Sequence, residues 1–273
     1  MSEFDILIIE DEQVIVDVTK KILNLEGLAI DETFAAENAL EKVQQNSYKL
    51  IISDLMLPHI SGIELIKKIK SINPKIPIII ITGYAMLENA VKSFKEGAFD
   101  FIPKPFDMEE LSGVVFRAMN YLEMKRNCDN GKNKPPVLKK KNRGEKNIGE
   151  YYLLGDHSWA KIDPDNAITF GIGETFSGNM GEIQKIELPF INTEVWQGNM
   201  CVRIISAHNR VHMVWAPLSG EVIGINQNID KNMNLINTDP YDKGWLVKIL
   251  PTNLESELEN LSLVGKQIWQ ADG

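Results

Sequence analysis

At 273 residues, with 44% hydrophobic and 25% charged side chains, the chain is long enough for two globular domains, each with its own core. A formal charge of −9 and a pI of about 5.1 argue against DNA or RNA as the default partner. No apolar run reaches the roughly 18 residues that a membrane-spanning helix needs, and the acidic start Met1-Ser2-Glu3-Phe4-Asp5 lacks the basic flank of a secretory signal. Cys128 and Cys201 lie far apart, so a reducing cytoplasmic setting is expected.

Residues 4–9 are mostly apolar, as a parallel strand buried on both faces should be. Val14, Val18, Ile22 and Leu25 then share one face of a helix that Gly27 stops. Residues 29–34 read as a second strand and 36–45 as a second helix. Residues 50–53 form a third strand, 63–69 the heart of a third helix, and 76–81 a strongly β-branched fourth strand. Residues 87–95 are helical up to Gly97. A fifth strand, 99–102, is closed by Pro103 and Pro105, and Asp107 caps a last helix running towards Lys125. Strands alternating with helices predict a five-stranded parallel sheet with helices on both faces over residues 1–124.

Composition changes over 125–148. Nine lysines and arginines, among them Lys139-Lys140-Lys141, face only Asp129 and Glu145, and Gly131, Pro135, Pro136 and Gly144 interrupt them. Such a stretch is expected to be a flexible, basic linker. From 149 to 273 short β-type runs alternate with Gly, Asn and Asp turns: 168–172, 181–188, 200–205, 211–216 and 246–249, with 221–225 as a further candidate. This spacing predicts an antiparallel sandwich or barrel, followed by a short helix over 254–261.

The chemistry gathers where strands end. The run Ile51-Ile52-Ser53-Asp54 closes on a carboxylate, and Glu10 and Asp11 close the first strand. Open α/β sheets place their sites at such carboxyl ends. Three carboxylates there repel one another unless a cation sits between them, and Mg²⁺ suits an oxygen-only site that also admits a phosphate. Thr82, after the fourth strand, offers a hydroxyl, and Lys104, between two prolines after the fifth, offers an ammonium. A phosphoryl group in transfer needs such donors on its oxygens.

Four pieces in order, Glu10-Asp11-Glu12, Asp54-Leu55-Met56-Leu57-Pro58 with Gly62, Thr82-Gly83-Tyr84-Ala85 and Pro103-Lys104-Pro105-Phe106, make residues 4–123 resemble the receiver domain of two-component response regulators, a flavodoxin-like fold. The resemblance implies that Asp54 accepts a phosphoryl group from a sensor histidine kinase. It implies Mg²⁺ on Glu10, Asp11, Asp54 and the Met56 backbone carbonyl, with Thr82 and Lys104 on the phosphoryl oxygens. Phe101 falls at the family's aromatic switch position, paired with Thr82, and the family's usual face for this readout also makes receiver homodimers. Glu10 stands where the family more often has aspartate, which keeps the charge.

Residues 150–265 resemble the glycine cleavage H protein, a mostly-β lipoyl-carrier fold of the barrel-sandwich-hybrid kind. The residues that carry this are His157-Ser158-Trp159-Ala160, Ile168-Thr169-Phe170-Gly171-Ile172, Gly181-Glu182-Ile183, Ile186-Glu187-Leu188-Pro189, Ala216-Pro217-Leu218-Ser219-Gly220-Glu221-Val222 and Asp239-Pro240-Tyr241-Asp242-Lys243-Gly244-Trp245-Leu246. In that family one lysine at a hairpin tip carries lipoate. Counting back from Ala216, its position falls on Asn209, and no lysine occurs between Lys185 and Lys231. An amide cannot be acylated as an amine is, and neither His208 nor Arg210, one residue away, accepts lipoate. No lipoate is therefore expected. His208 and His212, four apart on a strand, are too widely spaced for a joint metal site and are expected to be exposed. Trp159, Trp196, Trp215 and Trp245 read as core or rim, and Cys201 as a buried strand residue.

The leading expectation is a regulatory protein, not an enzyme, whose H-protein-like half is an interaction output for an unidentified protein partner. A regulated carrier subunit, opposed by the missing lysine, and a phosphate sink with an inert second half are the alternatives.

Overall fold

The structure, a computed structural model, describes residues 4–83, 87–129 and 151–264. It divides into two compact units: Met1–Met119 with Ile205–His212, and Asn120–Ile204 with Met213–Gly273.

The first unit is built on β1 (Ile6–Ile9), β2 (Ile30–Thr33), β3 (Leu50–Asp54), β4 (Ile78–Thr82) and β5 (Asp100–Pro103), all parallel, in the order β2-β1-β3-β4-β5. The intervening helices are α1 (Gln13–Leu25), α2 (Ala36–Gln45), α3 (Gly62–Ile72), α4 (Leu87–Lys95) and α5 (Met108–Asp129). Strands β1, β3 and β4 are buried along their whole length, which accounts for their unbroken Ile and Leu runs. The order of strands reverses direction at β1, so β1 and β3 flank the crevice where such sheets bind ligands.

Two details differ from the expectation. Helix α1 forms where the spacing predicts it, but Val16, Thr19 and Leu23 face the sheet, whereas Val14, at 71% exposure, Val18 and Leu25 point outward. Helix α5 runs on to Asp129, so the first residues of the basic stretch are helical; residues 130–148 of the expected linker lie outside the described residues.

The later part of the chain contributes β6 (Tyr151–Leu154), β7 (Ser158–Ile162), β8 (Ile168–Ile172), α6 (Glu174–Ser177), β9 (Ile183–Glu187), β10 (Glu194–Val195), β11 (Met200–Ser206), β12 (Arg210–Trp215), β13 (Gly220–Ile225), α7 (Asn228–Lys231), α8 (Leu235–Thr238), β14 (Val247–Pro251), α9 (Leu254–Leu258) and β15 (Ser262–Val264). A seven-stranded sheet has the order β10-β13-β14-β8-β7-β6-β15, and a three-stranded sheet the order β12-β11-β9. Inward residues of both, including Phe170, Val202, Ile204, Val214, Val222 and Ile249, form one core. Trp159 lies flat against Gly171, whose missing side chain leaves room for the indole, and its Nε1–H donates to the Ile172 carbonyl at 3.1 Å. Trp215 is also buried, Trp245 is half-buried and Trp196 is exposed at the rim. Cys201 is half-buried on β11, where burial pushes its thiol pKa up.

Candidate functional site

Parallel register brings the strand ends level. Ile9 pairs with Ser53, Asp54 with Ile81 and Thr82 with Pro103, so Glu10, Asp54, Thr82 and Lys104 all emerge at one edge. The Lys104 amide donates to the Thr82 carbonyl at 2.8 Å, which ties the β5 exit to β4. The β3–α3 connection is held by Gly62. Its N–H donates to the Leu55 carbonyl at 2.8 Å, and a Cβ there would lie 2.6 Å from the Leu55 Cα. Ser61 caps α3 by accepting from the Glu64 amide.

Glu10 and Asp54 are 3% and 5% exposed. Between them lies the Lys104 ammonium, with Nζ 2.6 Å from Asp54 Oδ2 and 2.6 Å from Glu10 Oε2; Glu12 Oε1 is 3.7 Å away. The Met56 amide donates to Asp54 Oδ1 at 2.9 Å, and the Glu12 amide to Glu10 Oε1 at 3.3 Å. Thr82 is fully buried and Phe101 nearly so.

The electrostatics follow from this crowding. Burial, and then the neighbouring Asp54 charge, raise the Glu10 carboxyl to about 7 against the pull of Lys104. Burial would lower the Lys104 ammonium, but its hydrogen bonds to Asp54 and Glu10 outweigh that and hold it above its ordinary value. The edge thus carries more negative charge than one lysine offsets. Oxygens of Glu10, Glu12 and Asp54 all lie within 4.8 Å of one another, a donor set that suits a hard divalent cation such as Mg²⁺. The structure gathers Glu12 into this group; Asp11, expected there, is exposed and outside it. No sequence signal separated the two, because both follow Glu10 in a loop.

The other candidate position is the hairpin tip between β11 and β12. Ala207–Asn209 form a single tight turn, in which His208 and Asn209 have φ of +64° and +57°. Asn209 is exposed at the tip, and its amide offers no amine for acylation, so this chain does not fit a lipoyl group there. His212 corrects the expectation of exposure: it is 0% exposed, and its Nε2 lies 2.9 Å from the Ser206 hydroxyl.

The model of the response regulator receiver domain matches residues 6–116, and that of the glycine cleavage H-protein matches 151–270. The chain joins a response regulator receiver domain to a glycine cleavage H-protein domain. A probable glycine cleavage system H protein of Thermococcus kodakarensis is 38% identical over 120 residues, covering 42% of this chain and 88% of the relative. The transcriptional regulatory protein ZraR of Escherichia coli is 31% identical over 118 residues, 43% of this chain but only 27% of its own length. A CheY-like receiver domain from Methanospirillum hungatei is 34% identical, covering 45% of this chain and 98% of that one, with a TM-score of 0.43. The receiver domain places the chain in phosphorelay signalling, as a regulatory protein with a histidine kinase as its implied partner. Among the described residues no helix is long and apolar enough to cross a membrane.

Proposed function

We propose that the chain is a response regulator in which Asp54 accepts a phosphoryl group from a sensor histidine kinase, and in which the H-protein domain serves as a protein-interaction output without lipoate. One observation carries the first half: Asp54 ends β3 at the sheet edge with Lys104 Nζ 2.6 Å from its Oδ2 and Glu10 beside it. An Asp54 oxygen attacks phosphorus, the P–N bond of a phosphohistidine breaks, and its electron pair returns to the imidazole nitrogen. The product is an acyl phosphate on Asp54. In this reading Lys104 and the Thr82 hydroxyl contact the transferred oxygens. Mg²⁺, when bound, would supply charge neutralisation; Glu10 and Asp54 would hold it together with Glu12, whose oxygens cluster with theirs, or with Asp11 and the Met56 carbonyl.

For the second half, Asn209 at the tip removes the carrier chemistry while the H-protein scaffold remains, which favours recognition over acyl transfer. In this reading the receiver spans 1–124 and the H-protein domain 149–273, joined by the basic stretch 125–148. The test is coexpression with a lipoate ligase, then partner capture with and without beryllofluoride. Intact mass should show no lipoyl adduct, and a partner should respond to beryllofluoride only when Asp54 is present. A lipoyl adduct, or partners indifferent to both, would refute this half.

A further inference from the structure

In the H-protein domain an open pocket of about 430 Å³ lies between α7, the start of α8 and the turn that leads into β14. It belongs wholly to one compact unit, and its size is within the range of small-molecule sites. Its walls are fixed by the fold itself. Asn226 is buried; its Nδ2 donates to the Lys243 and Trp245 carbonyls, each at 2.8 Å, and its Oδ1 accepts from the Asn228 amide at 3.1 Å. One side chain thus pins the turn on one side of the pocket and the start of α7 on the other. Gly244 seats the turn tightly on α8. Its amide donates to the Asp239 carbonyl at 2.8 Å, and a Cβ there would lie 2.5 Å from the Leu235 carbonyl oxygen.

The lining combines three kinds of group. Trp245 and Leu235, both half-buried, supply an apolar surface that includes one aromatic ring. Lys231 and Lys243 bring two ammoniums against the single carboxylate of Asp242, so the pocket is net positive in a chain whose formal charge is −9. Asn228 and Asn232 add two carboxamides, each both a donor and an acceptor. Among the described residues neither lysine is ion-paired with a carboxylate and neither carboxamide is hydrogen-bonded. Two ammoniums facing one pocket attract an anion, and lysine is a common point-charge partner of phosphate. An indole offers a stacking surface to a flat ring, and free carboxamides can read the polar edge of one.

We propose that this pocket binds a mononucleotide, with its phosphate on Lys231 and Lys243, its base against Trp245, the base edge on the two carboxamides and a ribose hydroxyl donating to Asp242. Inorganic phosphate or a neutral nucleoside would use only part of this lining. The H-protein domain is then a receptor for a small anionic ligand, and the proposal does not depend on the role of Asp54.

Calorimetric titration of the full chain tests this, with adenosine, guanosine, cytidine and uridine monophosphates as probes and adenosine and inorganic phosphate as controls. EDTA throughout keeps metal-bound phosphate from the receiver edge. At least one nucleotide should bind with a Kd of about 1 mM or tighter, and at least about tenfold tighter than either control. The double variant Lys231→Gln, Lys243→Gln removes both charges at exposed positions; it should weaken that nucleotide at least about tenfold and leave the thermal midpoint unchanged. Hydrogen exchange in peptides covering 226–246 should slow when the same nucleotide is added to the unsubstituted chain. No binding of any of the four up to about 10 mM overturns the proposal. So does undiminished binding in the double variant, which would place the nucleotide elsewhere, on the basic stretch 125–148 for example, and so does unchanged exchange over 226–246. Adenosine or phosphate binding as tightly as the nucleotide overturns the ligand class.

Discussion

Glu10 is the residue whose titration reports on the site. Its carboxyl is raised to about 7, whereas an unfolded glutamate titrates near 4.5. A raised carboxyl binds its proton over the window between those values, so in the metal-free protein Glu10 favours the folded state below about 4.5, and this contribution is lost as pH rises through 7. A cation has to displace that proton. Mg²⁺ affinity, measured by calorimetry, should therefore weaken as pH falls from 8 to 6, approaching about tenfold per unit below 7. Glu10→Gln should bind Mg²⁺ more weakly at every pH and lose most of this dependence. Asp54, Thr82 and Lys104 were legible as neighbours at one sheet edge because each ends or follows an apolar strand. Glu12 was not, because carboxylates in one loop look alike until the backbone is placed.

At the scale of elements, two connections carry stability that side-chain counts do not reveal. Gly62→Ala forces a Cβ into the Leu55 backbone, and we expect a loss of about 1–3 kcal/mol in unfolding experiments, together with slower phosphorylation as the β3–α3 loop shifts. In the H-protein domain, Glu257 on α9 accepts from the Ser219 amide at 2.7 Å and from its hydroxyl at 2.6 Å. Gln197 Nε2 donates to the Pro217 and Glu257 carbonyls, each at 2.9 Å. Glu257→Ala strands the buried Ser219 groups and should cost about 1–3 kcal/mol by denaturant titration. Strands β1, β3 and β4 were legible because their Ile and Leu runs are unbroken and buried. Strands β6 and β7 were not predicted as strands, since Tyr151-Tyr152-Leu153-Leu154 and Ser158-Trp159-Ala160-Lys161-Ile162 are short and lack strict alternation. The four-residue helices α6, α7 and α8 are too short to show a helical period. His212 was misread because its strand reads as an exposed hairpin, and its burial depends on residues distant in sequence.

For the whole molecule, the H-protein relatives are matched over most of their length, whereas the chain spans only about a quarter of the ZraR and NtrC relatives. What it shares with those regulators is the receiver, and its output must be argued from its own second half. In the proposed function Asp54 is phosphorylated, and everything downstream reads that event. The most direct measurement is intact mass after incubation with acetyl phosphate and Mg²⁺, for the unsubstituted chain, Asp54→Asn and an EDTA-treated sample. One phosphoryl adduct, labile to base as an acyl phosphate is, is expected in the unsubstituted chain alone. No adduct in the unsubstituted chain, or an equal adduct in Asp54→Asn, would contradict it.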